Sequence, residues 1–98
     1  KHTKITATKW CQSKGGYMEL NKTIEMMTSA DYKERFRAEY YQLVIRQSKL
    51  VGLLAKYKAG TLNFVPRCSY ELLYEQAQAM GKYMLLLRAR AEIEGIDL

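Results

Sequence analysis

Apolar side chains recur in steps of three and four along two long stretches of the chain. The first stretch contains Tyr32, Phe36, Tyr40, Leu43, Gln47, Leu50, Leu54 and Tyr57. The second contains Leu73, Ala77, Met80, Met84, Leu87 and Ala91. This spacing places each set on one face of an α-helix and is close to a heptad repeat. The pattern predicts two long amphipathic helices, with the polar Gln47 positioned to fix their register.

Capping residues predict where the first helix begins and ends. Thr28 or Ser29 is expected to cap it, with Asp31 in the first turn at the positive end of the helix dipole. Gly60 is expected to end it. Pro66 keeps the residue before it out of the helical region, so the helix does not continue into the connector.

The connector and the second helix follow directly. Leu62, Phe64 and Val65 are apolar, so the connector is expected to fold back onto the helix ends. Ser69 is expected to cap the second helix and Gly95 to end it. Two long helices joined by a short connector predict an all-α fold, an antiparallel helical hairpin.

The chain before the hairpin is less regular. Residues 19–27 are expected to add a short helix in which Leu20, Ile24 and Met27 share a face. Residues 1–17 are rich in Lys, Thr, Ser and Gly and are interpreted as a basic arm.

The codons that residues 14–18 allow include a purine-rich ribosome-binding sequence followed by ATG. We therefore expect translation to start at Met18, so that residues 1–17 are not part of the native product and residues 18–98 form one domain.

Both helices carry a second apolar stripe. In the first helix it consists of Tyr41, Val44, Ile45 and Val51, and in the second of Leu72, Tyr83, Leu86 and Ile93. A monomeric hairpin buries one face of each helix, and large exposed apolar patches are rare on monomers. The N-terminal segment is expected to cover part of these stripes, and self-association the rest, which predicts a homo-oligomer, a bundle built from several hairpins.

Composition narrows the class of protein. The chain has 98 residues, 48% of them hydrophobic, with a formal net charge of +6. These values indicate one small basic domain rather than a disordered chain. No apolar run approaches the roughly 18 residues of a membrane span, so no membrane partner is expected.

Signals for enzymatic chemistry are poor. The chain has two cysteines, 57 positions apart, and one histidine, His2, near a terminus. There is no paired-cysteine metal spacing, glycine-rich phosphate loop or nucleophile motif. We therefore expect no catalytic residue, no metal, no cofactor and no enzymatic activity.

Basic residues interleaved with aromatic ones are the better signal. Lys33, Arg37 and Tyr41 lie on one flank of the first helix, while Arg88 and Arg90 stand beside the apolar stripe of the second. Arginine and lysine bind phosphates, and tyrosine stacks on bases. An arginine in this position either pairs with a neighbouring acid or meets an anionic ligand at a subunit interface. These five residues are the candidate ligand-binding residues, and the alternative is a solvated helix face with snorkelling side chains.

The stretch from Leu20 to Leu98 resembles a family of small helical proteins from tailed and crAss-like bacteriophages. The resemblance is carried by residues 23–27, 31–36, 38–43, 59–62 with Phe64 and Pro66, and 88–95. It implies a phage gene that is expressed in a bacterial host.

The second helix is also similar to the hairpin domain of phage cyclic-nucleotide sponges, through Met84, Leu86, Arg88 and Ala89. Those proteins counter the CBASS and Thoeris defences of the host. They are small helical oligomers that hold signal molecules between protomers without cleaving them. The resemblance implies that Arg88 contacts the ligand; the N-terminal ligand residues of the sponges have no clear counterpart in this chain.

The sequence therefore predicts a non-enzymatic anti-defence protein of the host cytoplasm that sequesters a cyclic nucleotide or another phosphate-bearing ligand. One alternative is a protein- or nucleic-acid-binding module that inhibits a host factor through its basic helix. The other is a structural phage assembly protein.

Overall fold

Helices make up most of the part of the chain that the structure describes. The computed structural model describes residues 19–98, and over this range it contains helices and no strand. A 3-10 turn at Leu20–Lys22 leads into α1 (Thr23–Met27), which is followed by α2 (Tyr32–Ala59) and α3 (Tyr70–Glu94). The predicted all-α hairpin with a short N-terminal helix is confirmed. The predicted arm, residues 1–17, and the predicted start at Met18 lie outside the described residues.

Side-chain contacts along the seam show that α2 and α3 are antiparallel. The Tyr32 hydroxyl, at the start of α2, lies 2.9 Å from Oε1 of Glu94 at the end of α3. Nearer the turn, Nε2 of Gln47 donates a 3.1 Å hydrogen bond to the backbone oxygen of Ala77. This polar link across an apolar seam fixes the register, as the sequence predicts for Gln47.

The N-terminus of α2 differs from the prediction. Asp31 is the capping residue, and its extended backbone lets the carboxylate accept a 3.0 Å hydrogen bond from the Lys33 backbone amide. The predicted cap by Thr28 or Ser29 is wrong, because the hydroxyls of these residues make hydrogen bonds at the end of α1 and in the turn that follows it. Thr28 donates to backbone oxygens within α1, and Ser29 accepts from the Asp31 amide. A carboxylate at the N-cap also faces the positive end of the dipole.

The other predicted helix ends are confirmed. The Ser69 hydroxyl caps α3 by accepting a 3.1 Å hydrogen bond from the Leu72 amide. Gly60 and Gly95 end α2 and α3 with φ angles of 75° and 72°. This left-handed conformation favours glycine because other residues bring Cβ too close to the carbonyl.

The core lies between the two long helices and is completed by the C-terminal tail. Its buried members are Phe36, Tyr40, Leu43, Val44, Met84, Leu87, Ala91 and Ile96. Val44 and Ile45 belong to the predicted second stripe of α2, and both are buried within one chain. These two residues therefore do not need a second copy of the chain to cover them. Ile96 of the C-terminal tail belongs to the same buried cluster. The tail therefore contributes to the core that α2 and α3 form.

α1 packs on α2 with a different face from the one that its apolar residues predict. Thr23 is completely buried, whereas Ile24 is 60% exposed and Met27 is also exposed. The Thr23 side chain accepts a 2.8 Å hydrogen bond from Nε2 of Gln42 on α2. The position of α1 is therefore set by a polar contact.

The outer face of α3 is not covered by any element within residues 19–98. Leu72, Leu86 and Ile93 of the predicted second stripe are exposed, with Ile93 84% accessible. In the connector Leu62 is half-buried, but Val65 is 89% exposed. The expectation that Val65 folds back onto the helix ends is therefore wrong.

Candidate functional site

The antiparallel packing gathers all five predicted site residues at one end of the hairpin. Lys33, Arg37 and Tyr41 lie in the first three turns of α2, while Arg88 and Arg90 lie in the last two turns of α3. We call this region, where α2 begins and α3 ends, the arginine end. The side chains at this end have different partners and do not form a single cluster.

Arg88 is anchored by a buried tyrosine. Its Nε donates a 2.8 Å hydrogen bond to the Tyr40 hydroxyl, and its guanidinium carbon lies 5.9 Å from the centroid of the same ring. The Tyr40 ring is part of the core, and its hydroxyl accepts the hydrogen bond from Arg88 at the edge of that core. Within residues 19–98 the Arg88 side chain has no carboxylate partner and no second acceptor. Its terminal N–H groups are therefore available to a ligand.

Arg90, unlike Arg88, has a carboxylate partner. Its Nη2 donates to the Tyr32 hydroxyl at 3.0 Å, and its Nε lies 3.6 Å from a carboxylate oxygen of Glu94. The guanidinium also lies 4.9 Å from the centroid of Phe36. Loss of hydration lowers the pKa of Arg90, but Tyr32 and Glu94 together raise it above its ordinary value. The sequence predicts either a neighbouring acid or an anionic ligand as the partner of each arginine, and Arg90 pairs with an acid.

The two arginines lie on different flanks of α3. Residues two apart in an α-helix are rotated by about 200° around its axis. Their partners on α2 differ accordingly, Tyr40 for Arg88 and Tyr32 with Phe36 for Arg90. Within one hairpin, the two guanidinium groups therefore serve different surfaces.

Arg37 and Tyr41 face the C-terminal tail. The Nε of Arg37 donates a 2.7 Å hydrogen bond to the backbone oxygen of Asp97. Tyr41 is half-buried, and this burial raises its pKa, with Arg37 opposing the rise and Asp97 adding to it. Lys33 is exposed, and no partner for its ammonium group lies within residues 19–98. Arg37 thus helps to hold the tail that completes the core, whereas Lys33 remains accessible.

Tyr40 is the site residue that the sequence interpretation missed. It belongs to the stripe that contains Tyr32 and Phe36, which was interpreted as core. The available signal was its hydroxyl, because a buried tyrosine usually needs a hydrogen-bond partner at one end. An arginine on the facing helix is such a partner.

Across residues 19–98 no group of three or more His, Cys, Asp or Glu side chains is arranged to hold a metal ion. In the same range no helix combines the length and the apolar character that a membrane crossing requires. Cys68 is an exposed free thiol.

Comparison with known proteins identifies a family. A family model described as Sequestin matches residues 30–93, which include both helices of the hairpin up to the penultimate residue of α3 and all five candidate residues. Neither a curated protein nor a solved structure matches the chain. The matched range covers about two thirds of the sequence, and the chain belongs to the Sequestin family.

Proposed function

We propose that this protein is a non-enzymatic phage accessory protein that sequesters a phosphate-bearing nucleotide signal, and a cyclic nucleotide in the first instance. By holding that signal in the host cytoplasm it blunts a bacterial immune response. The family name denotes sequestration, which supports this class of function. The observation that carries the proposal is the environment of Arg88.

Arg88 has the features of a residue that binds an anion. It is exposed and charged, it is fixed by the buried Tyr40, and no carboxylate neutralises it within the described chain. A planar guanidinium whose Nε is already bonded can present its two terminal nitrogens to a phosphate in a forked geometry. Because the Tyr40 bond restrains the side chain, less conformational entropy is lost when the ligand binds.

Self-association is part of the proposal. Leu72, Leu86 and Ile93 lie at intervals that are multiples of seven along the outer face of α3, and all three are exposed. A second copy seated on this stripe would also contact Arg90, which lies one helical turn from both Leu86 and Ile93. In such an assembly Arg90 belongs to the subunit interface, and Arg88 keeps its separate surface.

Sequestration acts by mass action and needs no turnover. When free binding sites are present at 100 times the dissociation constant, about 1% of the signal remains free. The same ratio of ligand to dissociation constant stabilises the fold by about 2.7 kcal/mol. For a domain of this size that corresponds to a rise in Tm of roughly 10–20 °C.

The test is a thermal-shift screen against cyclic di- and trinucleotides and ADP-ribose, followed by calorimetry on each ligand that shifts Tm. Arg88→Ala is expected to weaken binding by about 10- to 150-fold, since a hydrogen bond to a charged group contributes about 1.5–3 kcal/mol. Arg46→Ala is the matched control, because Arg46 is an exposed arginine of α2 without a partner in the described chain. Chromatography of the ligand after denaturation of the complex should recover it intact.

Three outcomes would contradict the proposal. Equal binding by wild type and Arg88→Ala removes the role of Arg88. A cleaved ligand makes the protein an enzyme. Binding to short DNA or RNA alone, with a steep dependence on salt, favours the nucleic-acid-binding alternative.

A further inference from the structure

The stretch of chain from the second half of α2 through the connector is strongly basic. From Tyr40 to Tyr70 the sequence contains no Asp or Glu, and its five basic residues are Arg46, Lys49, Lys56, Lys58 and Arg67. In the structure this stretch forms most of α2 and the connector. We call the region around the connector the lysine end. Arg46 lies in the middle of α2, and two acidic residues at the start of α3, Glu71 and Glu75, also lie at this end.

A groove opens at the lysine end between α2 and the connector. Its volume is about 430 Å³, and its lining consists of Lys49, Gly52, Leu53, Lys56, Thr61, Leu62, Asn63 and Phe64. That volume lies within the range of small-molecule sites. The lining contains two lysines and no acidic residue.

Gly52 forms a bare patch of helix backbone inside this groove. Glycine is among the poorest helix formers, so its place in the interior of α2 is unfavourable by itself. Packing among the described residues does not require it, because a Cβ at Gly52 would meet none of their atoms within 4 Å. Lys49 and Lys56 lie three residues before it and four residues after it, on the same face of the helix. The two ammonium groups therefore flank an open, flat surface.

The opposite wall offers an aromatic ring and an amide. Phe64 is 52% exposed although it lines the groove, and Asn63 beside it is exposed as well. Within residues 19–98 neither lysine ammonium has an ion-pair partner. A planar base can lie between the Phe64 ring and the bare backbone at Gly52, with phosphates at the lysines.

We infer that this groove is a second anion site, which binds a nucleotide through its base and its phosphates. It is separated from Tyr40, the partner of Arg88, by about 18 Å along α2 at 1.5 Å per residue. It does not rest on the function proposed above. Free nucleotides and the nucleotides of a single strand share this chemistry, and the size of the groove favours a free nucleotide.

The helix dipole explains the position of only some of the basic residues at the lysine end. Lysines in the last turn of a helix interact with the negative end of its dipole, and Lys56 and Lys58 lie in that turn. Lys49 lies seven residues before Lys56, almost two turns earlier, where this effect has decayed. Neither Lys49 nor Gly52 is accounted for by the dipole.

The test is a titration of the full chain with ADP, followed by amide NMR shifts and calorimetry. Pyrophosphate and adenosine supply the phosphate and the ring separately, and a short oligothymidylate represents a single strand. Gly52→Leu places a larger side chain in the groove, at a position where a Cβ meets no atom of the described residues within 4 Å, and Gly52→Ala is the matched control. Lys49→Gln with Lys56→Gln removes the charge.

ADP is expected to bind more tightly than pyrophosphate or adenosine. Gly52→Leu and the double lysine variant should each weaken ADP binding at least tenfold, while Gly52→Ala should stay within about twofold of wild type. Both glycine variants should keep a Tm at or above that of wild type, because Leu and Ala are better helix formers than Gly. Three results would overturn the inference: no shift with millimolar ADP, equal ADP binding by Gly52→Leu, or binding of the oligonucleotide without ADP.

Discussion

Removal of one buried hydroxyl should loosen the attachment of α1. Thr23 is completely buried, and its Oγ1 makes two hydrogen bonds. It donates to the backbone oxygen of Leu20 at 2.7 Å and accepts from Nε2 of Gln42 at 2.8 Å. Thr23→Val keeps the shape of the side chain and replaces the hydroxyl with a methyl group. The packing of α1 is then tested without creating a cavity.

The expected loss follows from these contacts. Two hydrogen bonds contribute about 1 kcal/mol each, and a half-buried Gln42 amide left without its acceptor costs up to about 1 kcal/mol more. The added methyl group returns about 0.8 kcal/mol. Thr23→Val should therefore lower the free energy of unfolding by about 2 kcal/mol, which corresponds to about 8–16 °C in Tm for a domain of this size.

Urea denaturation followed by circular dichroism measures this loss, at one fixed protein concentration because self-association would change the apparent stability. Gln42→Met and the double variant complete a thermodynamic cycle. The coupling between Thr23 and Gln42 should be about 1 kcal/mol. Thr28→Val is the matched control, because the Thr28 hydroxyl is exposed and bonds only to its own helix. Its effect should stay within about 0.5 kcal/mol.

Two results would refute this reasoning. One is a loss below about 0.5 kcal/mol for Thr23→Val, which is the size of an ordinary surface change. The other is additivity of the Thr23 and Gln42 variants, which would mean that the hydrogen bond between them contributes nothing measurable.

Three further expectations concern the core, the outer face of α3 and the tail. Leu87→Ala should lower the free energy of unfolding, measured by urea denaturation, by about 3 kcal/mol because Leu87 is 1% exposed. An equal loss on Leu85→Ala would contradict this, because Leu85 is exposed. Leu86→Glu should convert the proposed oligomer to a monomer in light scattering, while an unchanged mass would exclude this stripe as the interface. Burial raises the pKa of Tyr41 above its usual value of 10.0, so its contribution to stability is complete below that pH and is lost as pH rises through the raised pKa. Tyr41→Phe should therefore flatten the alkaline fall in Tm, and parallel curves for the two proteins would show that Tyr41 is not responsible.

The helices and most of their ends could be predicted because they depend on local physical chemistry. Apolar spacing marks the buried face of α2 and α3, and a glycine that adopts a left-handed conformation marks where each helix stops. Ser69 needs only the amide of a residue three positions later. The start of α2 was misjudged because Thr28, Ser29 and Asp31 all favour a cap, and their order of use depends on how α1 ends.

The sequence offers candidate residues for the site, but it does not give their geometry. The sequence identifies Arg88 and Arg90 as arginines beside an apolar stripe and allows an acidic partner or a ligand for each. The Arg90–Glu94 pair is local to α3 at i,i+4 spacing. Only the packing of α3 against α2 brings Tyr32 to Arg90 and Tyr40 to Arg88. Partners that lie more than 40 positions away depend on the register of the two helices, which no local pattern specifies.

The sequence alone thus determined the helical class, the hairpin and the uneven distribution of charge, because each depends on residue spacing and composition. Only the tertiary structure decided which faces are closed within one chain. Thr23 is buried while Ile24 is exposed, and Val44 is covered with the help of Ile96. The physical reason is that burial depends on contacts between distant segments. A stripe of apolar residues shows that a surface tends to be covered, and only the folded chain shows which segment covers it.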